Sequence, residues 1–430
     1  MGRTPRVLAA GDVVDMLDGE VGAYVHVPFC SRICPFCPYN KVVPRPGQPA
    51  RYFAALEREV RAYVDAGAAG PVGFTSLYVG GGTPTLFPKE LAALLAGIPV
   101  RGERAIEVLP THATPPRLDT LRAMGFTAVS IGAQSFHDEV LRRLRRPHDA
   151  RTAREAVAAA AGRFDLVDVD LIVDVELDDQ LAGAFLRDLA DCLTLGVDQV
   201  STYPLMRFGY TPFGTAHHDR RREHEVLSEA ARIAAEHGYE RRSVWTFNRP
   251  TSATYTSITR RRFLGMGAGA SSFLGRDFLV NHFGVQSYID AVDHGQLPIA
   301  RWLHLGSLAG TAYDAFWQAY AGRITPTALA TGDPVRTRGI DLALAPLVSA
   351  GLVSHVGAGS SAGYALTPRG FERYHDLERA VTYRLIEPLW GQMLEEHARE
   401  GATASWAAPA RRRSGAAWAA ASRVFERPVA

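Results

Sequence analysis

The stretch Tyr24-Val-His-Val-Pro-Phe-Cys30-Ser-Arg-Ile-Cys34-Pro-Phe-Cys37 decides how this chain folds and what it holds. Its β-branched and aromatic beginning, Tyr24–Val27, has the composition of a strand. Pro28, Pro35 and Pro38 then break regular structure, so the cysteines fall on a loop directly after that strand. A helix would string three sulfurs at this spacing along about 10 Å of its axis, whereas a loop lets them converge. The spacing is C-x3-C-x2-C and uses three of the four cysteines in the chain. A tetrahedral structural zinc takes four protein ligands, and no second C-x2-C pair is present, so a zinc reading needs His26 or Cys192 as the fourth. An iron–sulfur cube held by three cysteines keeps one iron open to a cofactor or substrate.

Composition narrows the class. Four cysteines, three of them clustered, make no disulfide framework and read as metal-binding in a reducing cytoplasm. The N-terminus, Met1-Gly-Arg-Thr-Pro-Arg6, lacks the apolar core of a signal peptide, and no run of about 18 apolar residues occurs. The expectation is a cytoplasmic enzyme with no membrane segment. At 430 residues, 47% hydrophobic and 21% charged, the chain has the make-up of a soluble globular protein of two or three domains. A formal net charge of +2 gives no electrostatic bias towards nucleic acid. Its basic charge is nearly all arginine, with Lys41 and Lys89 the only lysines.

Further along, short apolar runs alternate with amphipathic stretches. Candidate strands are Tyr24–Val27, Leu77–Val79, Ile106–Leu109, Ala128–Ile131, Val167–Val173 and Val200–Tyr203. Candidate helices are Arg51–Ala66, Lys89–Ala96, Pro116–Met124, His137–Leu144, Ala150–Ala161 and Asp179–Leu195. This alternation predicts an α/β fold of parallel β/α units, as a partial (β/α)6 barrel or a doubly wound sheet, with functional residues at the C-terminal ends of the strands. The arginine-rich Asp219–Arg222 interrupts the pattern, a helix follows at Glu223–His237, and Phe263–Ser272 reads as a Gly-rich turn. Leu342–Ala350, Gly351-Leu-Val-Ser354 and Tyr364–Gly370 have the helix–turn–wing pattern of a winged-helix domain, without the dense basic face of a DNA binder. The expected organisation is an N-terminal extension (1–22), the barrel and its extension (23–305), a mostly α, winged-helix-like C-terminal domain (306–400) and a flexible tail (401–430).

The ordered motifs Tyr24–Cys30, Gly80-Gly-Gly-Thr-Pro-Thr85, Glu107-Val-Leu-Pro110, Ser130–Phe136, Arg146-Pro-His148 and Asp170-Leu-Ile172 run through about residues 20–290. With the cysteine cluster and Phe36 before its last member, the series resembles the radical S-adenosylmethionine superfamily, in its oxygen-independent coproporphyrinogen III oxidase-like (HemN-like) branch. The resemblance implies that Cys30, Cys34 and Cys37 ligate a [4Fe-4S] cluster whose open iron is chelated by S-adenosyl-L-methionine. One electron from the cluster then cleaves the cofactor to methionine and a 5′-deoxyadenosyl radical. It also implies cofactor contacts from Tyr24, Phe36, Gly81, Gly82, Thr83, Glu107, Gln134, Arg146 and Asp170, with Ile172, Met206, Gly267 and Ala268 completing the set. The partners implied are a small-molecule substrate and an electron donor such as flavodoxin or ferredoxin.

The residues themselves leave other readings open at several of these positions. Gly80–Gly82 suits a tight turn, Glu107 an exposed strand charge, Tyr24 a core tyrosine, and any arginine of the 142–146 run a solvated helix face. His26 reads as a satisfied strand histidine and Cys192 as a buried small hydrophobe. Tyr203 and Met206 suit either a cavity wall or the core.

Several positions depart from the branch's patterns. Thr251–Arg262 lacks the histidine of the H-N-x-x-Y-W stretch of the related haem chaperones, Val173-Asp-Val-Glu176 replaces a G-L-P, and Cys37-Pro-Tyr-Asn-Lys41 replaces C-D-F-x. Only 23 residues precede Tyr24, fewer than in the coproporphyrinogen oxidases. These departures point to a one-carbon transfer, C-methylation or cyclopropanation of a specialised metabolite, with two S-adenosylmethionine molecules seated. Tetrapyrrole chemistry, with Arg260, Arg261 and Arg262 available to propionates, and a haem chaperone are the alternatives.

Overall fold

The computed structural model describes residues 8–17, 19–70, 73–173, 183–214, 219–252, 262–358 and 362–399. The tail at 401–430, most of Val173–Glu176 and of Thr251–Arg262, and residues 179–182 of the expected sixth helix lie outside the described residues.

The chain alternates as expected. In order come α1 (Ala10–Asp15), β1 (Gly22–Val27), α2 (Gln48–Asp65), β2 (Leu77–Gly81), α3 (Pro88–Ala96), β3 (Arg104–Val108) and α4 (Pro115–Ala123). Then follow β4 (Ala128–Gln134), α5 (Asp138–Arg143), α6 (Ala150–Ala160), β5 (Leu166–Val173), α7 (Ala184–Leu195) and β6 (Gln199–Pro204). Strands β1 to β6 pair in sequence order and all in parallel.

Strand period decides what each face carries. Outward, Val25, Val79, Ile106, Val129, Val167 and Val169 meet Leu56, Leu91, Leu118, Val157 and Leu189 of the helices in one large core. Inward, Tyr24, Tyr78, Ala105, Ala128 and Leu166 form a separate apolar layer in register across five strands. Two residues further along, the inward row turns polar: His26, Gly80, Glu107, Ser130 and Asp168. The barrel is therefore closed below and carries its chemistry towards the C-terminal strand ends.

The sheet extends past the barrel on both sides. Asp219 caps α8 (Arg220–Glu236) by accepting from the Arg222 amide at 3.0 Å, so the arginine run starts a helix instead of interrupting one. Strand β8 (Thr246–Asn248) adds antiparallel to β6, and β7 (Glu240–Arg241) adds antiparallel to β8 at the edge. On the other side, β9 (Phe263–Met266) pairs parallel with β1, and β10 (Ser271–Leu274) and β11 (Asp277–Asn281) follow antiparallel. After α9 (Val285–Asp293), β12 (Ile299–His304) completes a 12-stranded sheet. The expected Gly-rich turn at Phe263–Ser272 is thus a hairpin with only Gly267–Ala270 as its turn; Gly265 sits in β9 because a side chain there would collide with Ser271.

Helix α10 (Ser307–Tyr320) begins the C-terminal part, followed by β13 (Arg323–Ile324), α11 (Pro326–Leu329), α12 (Pro334–Ser349), β14 (Val353–Val356) and β15 (Gly363–Leu366). Its sheet order, β13-β15-β14, with the hairpin after α12, is the helix–turn–wing read in the sequence. Helix α13 (Pro368–Val381) runs through a π-turn at Thr382–Ile386 into α14 (Glu387–Arg399). Trp390 of α14 stacks on Phe208 beyond β6, while Met393 packs with Val280 and Phe283 at β11, so α14 bridges the two flanks of the open barrel. No described helix is long and apolar enough to cross a membrane.

Candidate functional site

The cysteine loop is pinned at its neck. The Cys30 amide donates to the Val42 carbonyl at 3.0 Å and the Val42 amide to the Pro28 carbonyl at 2.7 Å, so residues 30–42 form one closed excursion from β1. Lys41 Nζ ties the far side by donating to the Cys37 and Tyr39 carbonyls. All three cysteines are free and half-buried. Burial, then the neighbouring Cys37, pushes the Cys30 thiol up to about 12, and burial raises Cys37 likewise. Among the described residues no three His, Cys, Asp or Glu side chains are close enough to share a single ion. Neither candidate fourth zinc ligand is placed to serve. Both ring nitrogens of His26 are engaged, and Cys192 is fully buried in α7 beside Asp188 and Asp191. The donor set fits a cube held at three corners better than one tetrahedral ion.

Two side chains from other segments, the turn after β2 and the turn after α5, reach the thiols. Thr83 Oγ1 approaches Cys30 Sγ at 3.8 Å, and Arg146 Nη1 lies 3.3 Å from Cys34 Sγ. Arg146 arrives through the end of α5: the Arg146 amide donates to the Leu141 carbonyl and the Arg145 amide to that of Arg142, with Arg145 left-handed at φ 51°. This Schellman turn aims one arginine of the run inward and leaves Arg142, Arg143 and Arg145 exposed. The inward guanidinium donates its Nη2 to the Gly132 carbonyl at 2.7 Å, while its buried Nε has no protein partner.

Glycines make room for the other members. A Cβ on Gly80 would lie 2.5 Å from Glu107, one on Gly81 2.7 Å from the His26 ring, and one on Gly82 2.5 Å from the Phe29 carbonyl. Gly81 also holds φ 111°, which only glycine adopts readily. The bend delivers the Gly81 amide to Glu107 Oε2 at 3.1 Å, and Tyr78 donates to Oε1 at 2.7 Å. Burial, reinforced by Asp170, lifts the Glu107 carboxyl to about 8. Glu107 is therefore no exposed strand charge. Asp170, raised by burial to about 6, accepts from Ser130 at 2.8 Å. Gln134 takes φ 70° at a bulge in β4 and lays its side chain over Gly132, beside Arg146. A strained non-glycine backbone of this kind is characteristic of functional sites.

Tyr24 and His26 form a fixed pair. The His26 Nε2–H donates to the Asn40 carbonyl at 2.9 Å, leaving Nδ1 to accept from Tyr24 at 2.8 Å. Burial lowers His26 to about 4, so it is neutral. Asn40 spans from the cysteine loop to the carbonyls of Ala268 and Phe283.

Gly267 and Ala268, expected among the cofactor contacts, lie against β1 and the cysteine loop: a Cβ on Gly267 would sit 2.5 Å from the His26 carbonyl, and Asn40 donates to the Ala268 carbonyl. Both are buried, and their amides donate to Glu59 and Tyr52 while their carbonyls accept from Asn281 and Asn40. They brace β9 behind β1. Met206 is partly buried against the apolar cluster that contains Val244, Trp245 and Tyr320. Phe36 and Ile172, in contrast, meet in one small cluster with Val140, Leu144 and Leu205.

Three neighbours of this site were not singled out from sequence. Asn40 and Ser130 are polar residues whose side-chain partners, Ala268 and Phe283 for the first and Asp170 for the second, are distant in sequence, so the motifs that contain them do not reveal the contacts. Tyr39 is exposed, with 53% of its surface accessible, and its ring lies 6.0 Å from that of Trp390.

Residues 24–187 match the Radical SAM superfamily. The chain is 31% identical over 318 residues to the heme chaperone HemW of Mycobacterium tuberculosis, covering 66% of this chain and 78% of that protein. It is 29% identical over 323 residues to the oxygen-independent coproporphyrinogen III oxidase of Pseudomonas aeruginosa, covering 66% and 68%. The solved coproporphyrinogen III oxidase (HemN) of Escherichia coli superposes with a TM-score of 0.70 over 85% of this chain and 91% of that one, at 24% identity. The chain belongs to the radical S-adenosylmethionine superfamily, in its HemN-like, coproporphyrinogen oxidase-related branch. The cofactors of that family are a [4Fe-4S] cluster and S-adenosylmethionine.

Proposed function

We propose that Cys30, Cys34 and Cys37 hold the cluster and that the chain directs its radical at a small molecule in the barrel mouth, transferring one carbon from S-adenosylmethionine to it. When bound, the cluster and S-adenosylmethionine supply one electron and a 5′-deoxyadenosyl group able to take hydrogen from carbon. The observation that carries the reading is convergence: thiols, Thr83, Arg146 and the Gly81–Glu107 pair come from four different segments to one end of the barrel. In this reading Arg146 holds Cys34 and, with its unpartnered Nε, meets a carboxylate of the cofactor. Gly81, Gly82 and Thr83 let backbone approach the methionyl end. Glu107 accepts from ribose hydroxyls, Gln134 and Asp170 add polar contacts, and Phe36 and Ile172 present an apolar wall.

One-carbon transfer is favoured by the sequence departures at Thr251–Arg262 and Val173–Glu176. Oxidative decarboxylation of a porphyrinogen is the second reading, supported by the coproporphyrinogen oxidase likeness. Methyl-labelled S-adenosylmethionine, given to the reduced and reconstituted enzyme with candidate substrates, separates them. Label in a new carbon–carbon bond supports one-carbon transfer; carbon dioxide released from coproporphyrinogen III without label transfer overturns it. Haem binding with no 5′-deoxyadenosine formed indicates a chaperone instead.

A further inference from the structure

We infer that the exposed arginines Arg142, Arg143 and Arg145, at the C-terminal end of α5, form with Arg32 the docking surface for an acidic one-electron carrier protein of the ferredoxin type. The inference rests on the cluster assignment above. Helix α5 is the element that backs the cysteine loop: Phe36 packs on its Val140 and Leu144, and Arg146 at its end touches Cys34. The outer face of α5 is therefore about one helix diameter, some 10–12 Å, from the thiols, which makes it a short path for an electron from outside. Arg32 lies on the same loop, two residues before Cys34, and is exposed.

The charge is arranged along the helix. Asp138 and Glu139 occupy the first turn, where Asp138 accepts from the Ala150 amide; Arg142 and Arg143 occupy the last, and Arg145 follows just beyond the helix. Arg142 pairs with Glu139, but both side chains are more than half exposed, so the pair is weak and exchangeable. Helix-dipole compensation explains one or two basic residues at such an end. It does not explain Arg145. At φ 51° that position is the left-handed one at which glycine is the favoured residue. An arginine is kept there against backbone preference, exposed, and one residue from the arginine that touches Cys34. A carrier with a carboxylate-rich surface complements this patch and is steered to it.

In the step served, the reduced carrier loses one electron and becomes oxidised, and the oxidised cluster gains it. Two measurements on the full-length, reconstituted enzyme test the surface, with an acidic bacterial ferredoxin as the probe. Calorimetric titration gives ferredoxin affinity, and stopped-flow bleaching of the cluster gives its reduction rate. Arg145→Gly is expected to weaken ferredoxin binding severalfold without lowering the melting temperature. Arg142→Glu/Arg143→Glu/Arg145→Glu is expected to weaken it at least tenfold and to flatten its salt dependence. Reduction by dithionite should be unchanged in both. Wild-type affinity and carrier-driven reduction in the triple variant would overturn the proposal. A wild-type protein that binds no cluster would instead overturn the assignment beneath it.

Discussion

Single residues divide sharply in how much of their role the sequence carried. The cysteine spacing and the aromatic Phe36 were readable because a cluster loop needs those atoms in that order. Arg146 was named by the Arg146-Pro-His148 motif and not by composition, which all four arginines of the 142–146 run share; the Schellman turn is the geometry that sets it apart. Glu107 was legible as a lone carboxylate in a strand, but its environment was not. Burial holds its carboxyl up to about 8, so it is largely protonated at neutral pH before cofactor binds. Ribose hydroxyls donate best to the ionised form. The account therefore expects cofactor affinity to rise as pH climbs through about 8. Glu107→Gln should remove that rise and weaken binding by about tenfold or more, as equilibrium dialysis of the reconstituted enzyme would register. An unaltered pH profile in the variant would assign the hydroxyl contact elsewhere.

At the scale of elements, all six parallel strands and the helices between them follow from apolar period and turn residues, with ends displaced by a few residues. The stretch Phe263–Ser272 reads as a Gly-rich turn yet forms a hairpin, because its glycines serve close packing, which a one-dimensional pattern shows only as flexibility. Its turn is held by Glu59 of α2, where Gly267 N–H, Tyr288 O–H and Asn281 Nδ2 converge. A glutamine offers one acceptor to these three donors. Glu59→Gln should cost about 1–3 kcal/mol in denaturant unfolding. Burial raises the Glu59 carboxyl from 4.5 to about 7. Its contribution to stability is thus full below about 4.5 and is lost as pH rises through about 7, a loss the variant should not show. At the end of α5 the expected sign is opposite: Arg145→Gly relieves a left-handed arginine and should stabilise by up to about 1 kcal/mol. A clear loss of stability there would mean that the Arg145 side chain holds the fold.

For the whole molecule, the alternation of strands and helices gave the α/β class, and the inward rows explain where chemistry can sit: apolar from Tyr24 to Leu166, polar from His26 to Asp168. What sequence could not supply is how the mouth is bounded. That depends on α14 crossing from Phe208 to Phe283, contacts between segments more than a hundred residues apart. The central claim, that three thiols of one loop hold a cluster that cleaves S-adenosylmethionine, is independent of the substrate. Its most direct measurement is the quantity of 5′-deoxyadenosine and methionine formed by anaerobically reconstituted, reduced protein given S-adenosylmethionine alone. The account predicts both products in equal amounts, and neither the brown cluster absorbance nor any product with Cys34→Ala. A cluster-loaded wild type that forms no 5′-deoxyadenosine, or a Cys34→Ala protein that still does, would contradict it.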